Sequence, residues 1–212
     1  MAAAPELGQS VRVGGDLAAK AEGAEGDYRS GPCRVDTPLP VGYPAPTPPG
    51  AIDLKSYPAV RRAMVRGRGS PDSGMNQTFW PLFNHIKKHE IAMTSPVEMD
   101  YADLKAAGQD SRDWSMAFLY RTPELNDTGR DGTVEVVDAP PLTVVAIGLK
   151  GDYSMDLVER GMRSIEDWLA AHPQWEPAGS WRSLYYNGPS LTWWNKWAEV
   201  QIPVRPSGTT GG

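Results

Sequence analysis

The feature that most limits how this chain can fold is an internal repeat. The shift that takes Ala63 to Ala146 is 83 positions (146 − 63), and it also takes Pro58 to Pro141 and Met64 to Ile147. The same shift carries Phe79 onto Met162, Leu82 onto Ile165, Ile86 onto Leu169 and Leu119 onto Ile202. Strand and helix registers agree together, which marks a duplication. In the first half "AVRRAMVRG" (59–67) reads as a strand, and Phe79, Leu82, Phe83 and Ile86 recur as one helical face. "EIAMTSPVEMDY" and "DWSMAFLYRT" then read as strands. In the second half "LTVVAIGLKG" (142–151) is a strand with a continuous apolar run, and "SMDLVERGMRSIEDWLAAH" is an amphipathic helix. Met162, Ile165, Trp168 and Leu169 form its apolar face, and "SWRSLYYNG" and "WAEVQIPV" close the half as strands. Two βαββ units joined edge to edge predict an α+β fold: a pseudo-two-fold, twisted antiparallel sheet or barrel flanked by two helices. A groove between helix and sheet is the expected ligand site.

The ends of the chain read differently. Residues 1–50 are poor in large apolar side chains and finish in "TPLPVGYPAPTPPG", whose prolines favour extended backbone. They predict a flexible or surface-hugging leader, with the domain over 51–205 and a solvated tail over 206–212.

Composition narrows the functions. A net charge of −5 with no basic stripe argues against nucleic acid, and Lys87 and Lys88 are too few for a membrane anchor. The lone Cys33 excludes an intrachain disulfide and a thiolate metal cage. No long apolar run and no basic, apolar leader stand out, so the expectation is a soluble, cytoplasmic protein. Catalytic signatures such as a nucleophile elbow, a His-Glu-x-x-His helix or a phosphate loop do not occur, and "RGRGSPDSG" reads as a surface turn. The chain therefore reads as a binding protein rather than an enzyme.

Four stretches resemble the SOUL/haem-binding protein family: "YPAVRRA", the pattern Phe79-x-x-Leu82-Phe83-x-x-Ile86, "IAMTSPV" (91–97), and Glu199-Val200 followed by Pro203-Val204. "IAMTSPV" is the most specific of them, and the resemblance spans roughly residues 52–204. It implies non-covalent, reversible binding of haem or another porphyrin by a tetrapyrrole carrier or buffer. It places Phe79, Leu82, Phe83 and Ile86 in or beside the groove along the first helix. Lys87 would meet a propionate there, and Met93 would stand at the same site.

Each candidate has a plainer reading. His85 and His89 are spaced i, i+4, so both can face one way. A structural or solvated role on the helix flank is favoured, against haem-iron ligation by one of them or a two-histidine metal site. The metal site would need a further ligand, and the neighbouring Glu90 falls on a different face. Lys87 and Lys88 suit a helix C-terminus, as does His172. Met75 and Met93 read first as core filling, and Cys33 as an inert thiol. Six of the eight tryptophans lie between Trp168 and Trp197 and predict a tryptophan-rich satellite core, with Trp193 and Trp194 as an alternative protein-interaction surface. Glu199 with Tyr185 or Tyr186 is the one pair suited to a second function. That function is a small-molecule effector-binding or hydrolytic domain of the gyrase-inhibitor-like superfamily, whose duplicated architecture is similar.

Overall fold

A computed structural model describes residues 3–24, 26–188 and 191–208. Ahead of the repeat stand β1 (Ser10–Gly15), β2 (Glu22–Ala24), β3 (Asp27–Ser30) and β4 (Cys33–Val35). The first repeat holds β5 (Ala51–Tyr57), β6 (Val60–Arg68), α1 (Pro71–Lys88), β7 (Val97–Tyr101) and β8 (Asp113–Leu119). A short β9 (Gly129–Asp131) leads into the second: β10 (Val134–Ala139), β11 (Leu142–Lys150), α2 (Met155–Ala171), β12 (Trp175–Pro177), β13 (Trp181–Tyr185) and β14 (Trp197–Pro206). The main sheet runs β1-β5-β11-β14-β13-β7-β8-β6-β10-β9, with β12 on β14, and a second small sheet is β2-β3-β4.

The architecture is the expected α+β one, with an open sheet rather than a barrel: β1 and β9 are its two ends. The repeat is larger than βαββ. Each unit has an additional leading strand, β5 or β10, and each is handed to the other half: β5 pairs with β11, and β10 with β6. The halves meet where β7 pairs with β13, Val97 opposite Tyr185 and Tyr101 opposite Trp181.

Helix α1 begins inside "RGRGSPDSG", which is therefore not a surface turn. Pro71 takes a first helical position, where its fixed φ is pre-organised and its missing N–H costs nothing. Gly74 is required one turn on, because a Cβ there would stand 2.5 Å from the Trp114 ring, as would one on Gly67 at 2.3 Å. The buried Trp114 indole fills this gap and donates to the Gly69 carbonyl at 2.9 Å. At the other end Glu90 adopts φ 55°, and the Ile91 amide returns to the Ile86 carbonyl at 2.8 Å, which stops the helix without a loop. Helix α2 starts at Ser154, whose side chain accepts from the Leu157 amide, and its Gly161 lets it close onto Val200 of β14.

"EIAMTSPVEMDY" is a strand only from Val97. The preceding Thr94 and Ser95 are buried, and their hydroxyls donate to the Leu119 and Tyr186 carbonyls, one in each repeat. The Ser95 amide donates to Pro38 O at 2.9 Å. The segment serves as a staple between the two halves and the leader.

Alternating residues of the sheet supply two cores. Val145, Ile147, Val200 and Ile202 face the helices, where Leu82, Ile86, Met162, Ile165 and Trp168 meet them. Val144, Ala146, Leu184 and Trp197 face the other way, and Cys33, Val35 and Leu39 cover them. β1 and residues 33–39 thus pack onto the domain, within the span 1–50 expected to be a flexible or surface-hugging leader. β1 adds a strand beside β5, and the Trp168 indole donates to Val13 O at 3.1 Å. The described tryptophans are divided rather than gathered into one satellite core: Trp168, Trp175 and Trp181 join the main core, Trp197 joins the second, and Trp194 is exposed. The side chain of Trp193 and tail residues 209–212 lie outside the described residues.

Two outcomes follow. Gly74→Ala should destabilise by about 1–3 kcal/mol through overpacking against Trp114, although alanine favours a helix by about 1 kcal/mol. A higher melting temperature for this variant would contradict the packing described. A chain starting at Ala51 should lose cooperative melting, because the second core would be bare; an unchanged calorimetric transition would show the leader to be dispensable.

Candidate functional site

Helix α1 has three faces. Leu82 and Ile86 point into the core and are closed to a ligand, so two of the four positions expected along the groove support it from beneath. Phe79 and Phe83 are half-buried and stack with ring centroids 5.9 Å apart; the 59% exposed Trp80 meets both edge-on. Lys87 places its ammonium 5.9 Å from the Phe83 ring centre.

From this ledge a run of apolar contacts crosses the sheet. Phe79 packs edge-on against Phe118 at 5.2 Å, Phe118 stands opposite Val97, and Val97 stands opposite Tyr185. Tyr153, just before α2, stacks on Tyr185 at 4.1 Å. Met93 packs half-buried against the same core, as does Met75. The structure therefore brings Phe79, Phe83 and Lys87 together, and shows no contact between them and Met93 among the described residues. Trp80, Val97 and Tyr153 were missed. Trp80 lies off the i, i+3, i+4 face, Val97 joins the run only through strand pairing, and Tyr153 only through its stacking on Tyr185.

The opposite flank of α1 borders a cleft of about 620 Å³, within the range of small-molecule sites. Gln77, Thr78 and Pro81 line it from the helix, and Arg66, Arg68 and Arg130 from the strands. Pro81 has no N–H to give the Gln77 carbonyl, which leaves that acceptor to the cleft.

The histidines sit further along this flank, away from the aromatic ledge. His85 is buried: its Nε2 is 2.9 Å from the Tyr120 hydroxyl and its Nδ1 is 3.1 Å from Asp131 Oδ2. His89 Nε2 lies 3.2 Å from the same oxygen, and Lys88 donates to both Asp131 oxygens at 2.9 Å. Lys88, then His89, then His85 hold the Asp131 carboxyl well below the usual carboxylate range. Asp131 was missed because it lies on β9, 42 positions beyond His89 (131 − 89). At the end of α2, His172 caps the helix and its Nδ1 donates to Trp168 O at 2.7 Å.

The helix-free face carries a buried ionic network. Glu199 Oε1 accepts from Lys55 Nζ at 2.8 Å, from the Tyr186 hydroxyl at 2.7 Å and from the Thr47 amide at 2.8 Å. Its Oε2 accepts from Lys55 and from Gln201. Burial, then the Glu199 carboxylate, pushes the Tyr186 phenol well above its usual range, which keeps its proton on the donor side. Tyr185 belongs to the opposite face, with Tyr101 and Tyr153, so only Tyr186 pairs with Glu199. Beside this network Arg182 bonds Gln201 and Glu98, and Glu98 also pairs with Arg62. A cavity of about 120 Å³ there is lined by Tyr43, Tyr57, Arg62, Glu98, Asp100 and Arg182, among others.

Residues 45–203 match the family profile described as SOUL heme-binding protein. The chain belongs to the SOUL haem-binding protein family. No curated protein sequence matches it significantly. Among solved structures it is similar to the EcmrR C-terminal domain, at 18% identity and TM-score 0.61, over 73% of this chain and 97% of that one. It is also similar to a hydrolase from Listeria innocua, at 14% identity and TM-score 0.53, over 76% of this chain and 94% of that one. At these identities the likeness is one of fold. No described helix of this SOUL-family chain is long and apolar enough to cross a membrane.

Removing one member of the buried pair leaves the other uncompensated. Lys55→Met is expected to cost about 3–5 kcal/mol in chemical denaturation, and Lys55→Met with Glu199→Gln to recover part of it. A neutral Lys55→Met would show that the pair contributes little to the fold.

Proposed function

We propose that this protein binds haem or a related porphyrin non-covalently and reversibly, as a tetrapyrrole carrier or buffer rather than an enzyme. The binding surface is the aromatic ledge of α1, on the side of the helix from which apolar contacts run toward the β7–β13 junction. The observation that carries the reading is the Phe79–Trp80–Phe83 ledge, an aromatic surface left open in a SOUL-family fold. It fits the flat, apolar face of a porphyrin, and Lys87 stands beside it to meet a propionate. When bound, haem would supply the iron, and Met93, half-buried against the main core, is the thioether proposed to reach it. His85 and His89 lie on the other flank, so binding does not depend on them.

Burial should dominate the affinity. At roughly 25 cal/mol per Å², about 400 Å² of apolar contact gives on the order of 10 kcal/mol before association costs. In a haemin titration followed by the Soret band and tryptophan quenching, Phe83→Ala should weaken binding more than His85→Ala or His89→Ala. Zinc or iron-free porphyrin should bind within about tenfold of haem, about 1.4 kcal/mol. Loss of the Soret shift in a histidine variant, with Phe83→Ala unaffected, would assign the ligand to the histidine flank instead.

A second reading is supported by the cavity beside Tyr57 and Arg182: a small-molecule effector-binding or hydrolytic site on the helix-free face. Glu199 would serve it only if donors already bound to its carboxylate moved away. Glu199→Gln separates the readings, because loss of turnover on a small ligand with haem binding intact would favour this one.

A further inference from the structure

We propose that His85, His89 and Asp131 form a site for a divalent transition-metal ion of the zinc class. Two histidines one helical turn apart and a carboxylate from the β9 hairpin converge here, with their ligand atoms all within 4.8 Å of one another. Around tetrahedral zinc, nitrogen and oxygen ligands about 2.0–2.2 Å from the ion stand roughly 3.3 Å apart. The two N···O separations, 3.1 and 3.2 Å, already have that spacing. An ion entering between these atoms replaces the shared proton contacts, and rotation of the exposed His89 side chain can bring the two imidazole nitrogens to the same ion.

The surroundings match what such a site needs. Tyr120 holds the remote nitrogen of His85, so the imidazole is oriented with Nδ1 toward the ion, the arrangement by which outer partners fix metal-ligating histidines. His85 is anchored in the fold, while the side chains of His89 and Asp131 are 31% and 34% exposed, which leaves an entry path and room for water as a fourth ligand. Neutral imidazoles with one carboxylate suit zinc, cobalt or nickel better than magnesium or calcium, which prefer all-oxygen shells. Lys88 is the competitor: in the absence of an ion its ammonium occupies both Asp131 oxygens. The ion must displace that contact, so the site should strengthen when Lys88 is replaced by an uncharged residue.

The proposal is separate from porphyrin binding, because the aromatic ledge lies on the other flank of α1. The test uses the full-length, tag-free chain titrated with Co²⁺ and, in competition, Zn²⁺. A visible d–d spectrum saturating at one ion per chain is expected. His89→Ala and Asp131→Asn should each weaken binding at least tenfold, and His89→Ala should do so while leaving the melting curve of the metal-free protein intact. Lys88→Met should tighten binding, a change that a purely structural ion-pair cluster would not produce. Haemin titration of the same variants should stay unchanged and so keeps the two sites apart. The absence of a stoichiometric Co²⁺ spectrum at micromolar metal overturns the proposal. So does a spectrum undiminished in His89→Ala and Asp131→Asn, or an affinity that Lys88→Met leaves equal or lower.

Discussion

Lys55 and Glu199 meet on the helix-free face of the sheet with both side chains fully shielded from water. Two charges in that position cost several kcal/mol each in lost hydration, and the cost is offset only when every hydrogen-bonding position is filled. Filling them draws on separate parts of the chain: Lys55 from β5, Glu199 and Gln201 from β14, Tyr186 just after β13, and the Thr47 amide from the leader. The pair can form only when the exchanged strand β5 has crossed to the second half and the leader has closed over it. Thr47 also accepts the Trp197 indole N–H at 2.7 Å, so the leader is joined to β14 by both a charge-assisted and a neutral bond. Topology and leader placement are thus coupled through one carboxylate.

That closure divides the sheet into faces of different use. The helix-free face is filled by the network, by the second apolar core and by residues 33–39 of the leader. The helical face keeps an open aromatic ledge, and its polar flank gathers His85, Lys88, His89 and Asp131. Because Leu82 and Ile86 anchor α1 from beneath, the two flanks are presented by one rigid helix. They are chemically distinct, apolar on one side and ligand-bearing on the other.

Much of this was legible from local pattern. The repeat shift of 83 positions places α1 against α2 and β8 against β14, within a residue or so at their starts, because buried periodicity survives in both copies. What the pattern does not hold is the choice of partner. β5 and β10 obey the same shift (134 − 51), yet their exchange depends on contacts distant in sequence. The leader's role had one clue. The run "LTVVAIGL" of β11 is apolar on both faces, and a strand of that kind needs cover on each, but only one face had a helix to offer. Cys33, Val35 and Leu39 supply the rest, and three apolar residues among prolines are too sparse a signal to stand out. A metal site at His85 and His89 was expected to need a further ligand. The adjacent Glu90 was unsuited because its backbone turns left-handed to end the helix, and Asp131 arrives from a hairpin that sequence proximity does not reveal.

The central claim is that the closed helix-free face directs porphyrin to the ledge of α1. Hydrogen–deuterium exchange of the full chain, with and without saturating haemin, tests this most directly. Amides of residues 76–97 and those flanking Tyr153 and Tyr185 should slow on binding, while those of 43–62 and 198–202 stay unchanged. Protection concentrated in 43–62 and 98–101, with residues 76–97 unaffected, would place the ligand on the helix-free face and contradict the account.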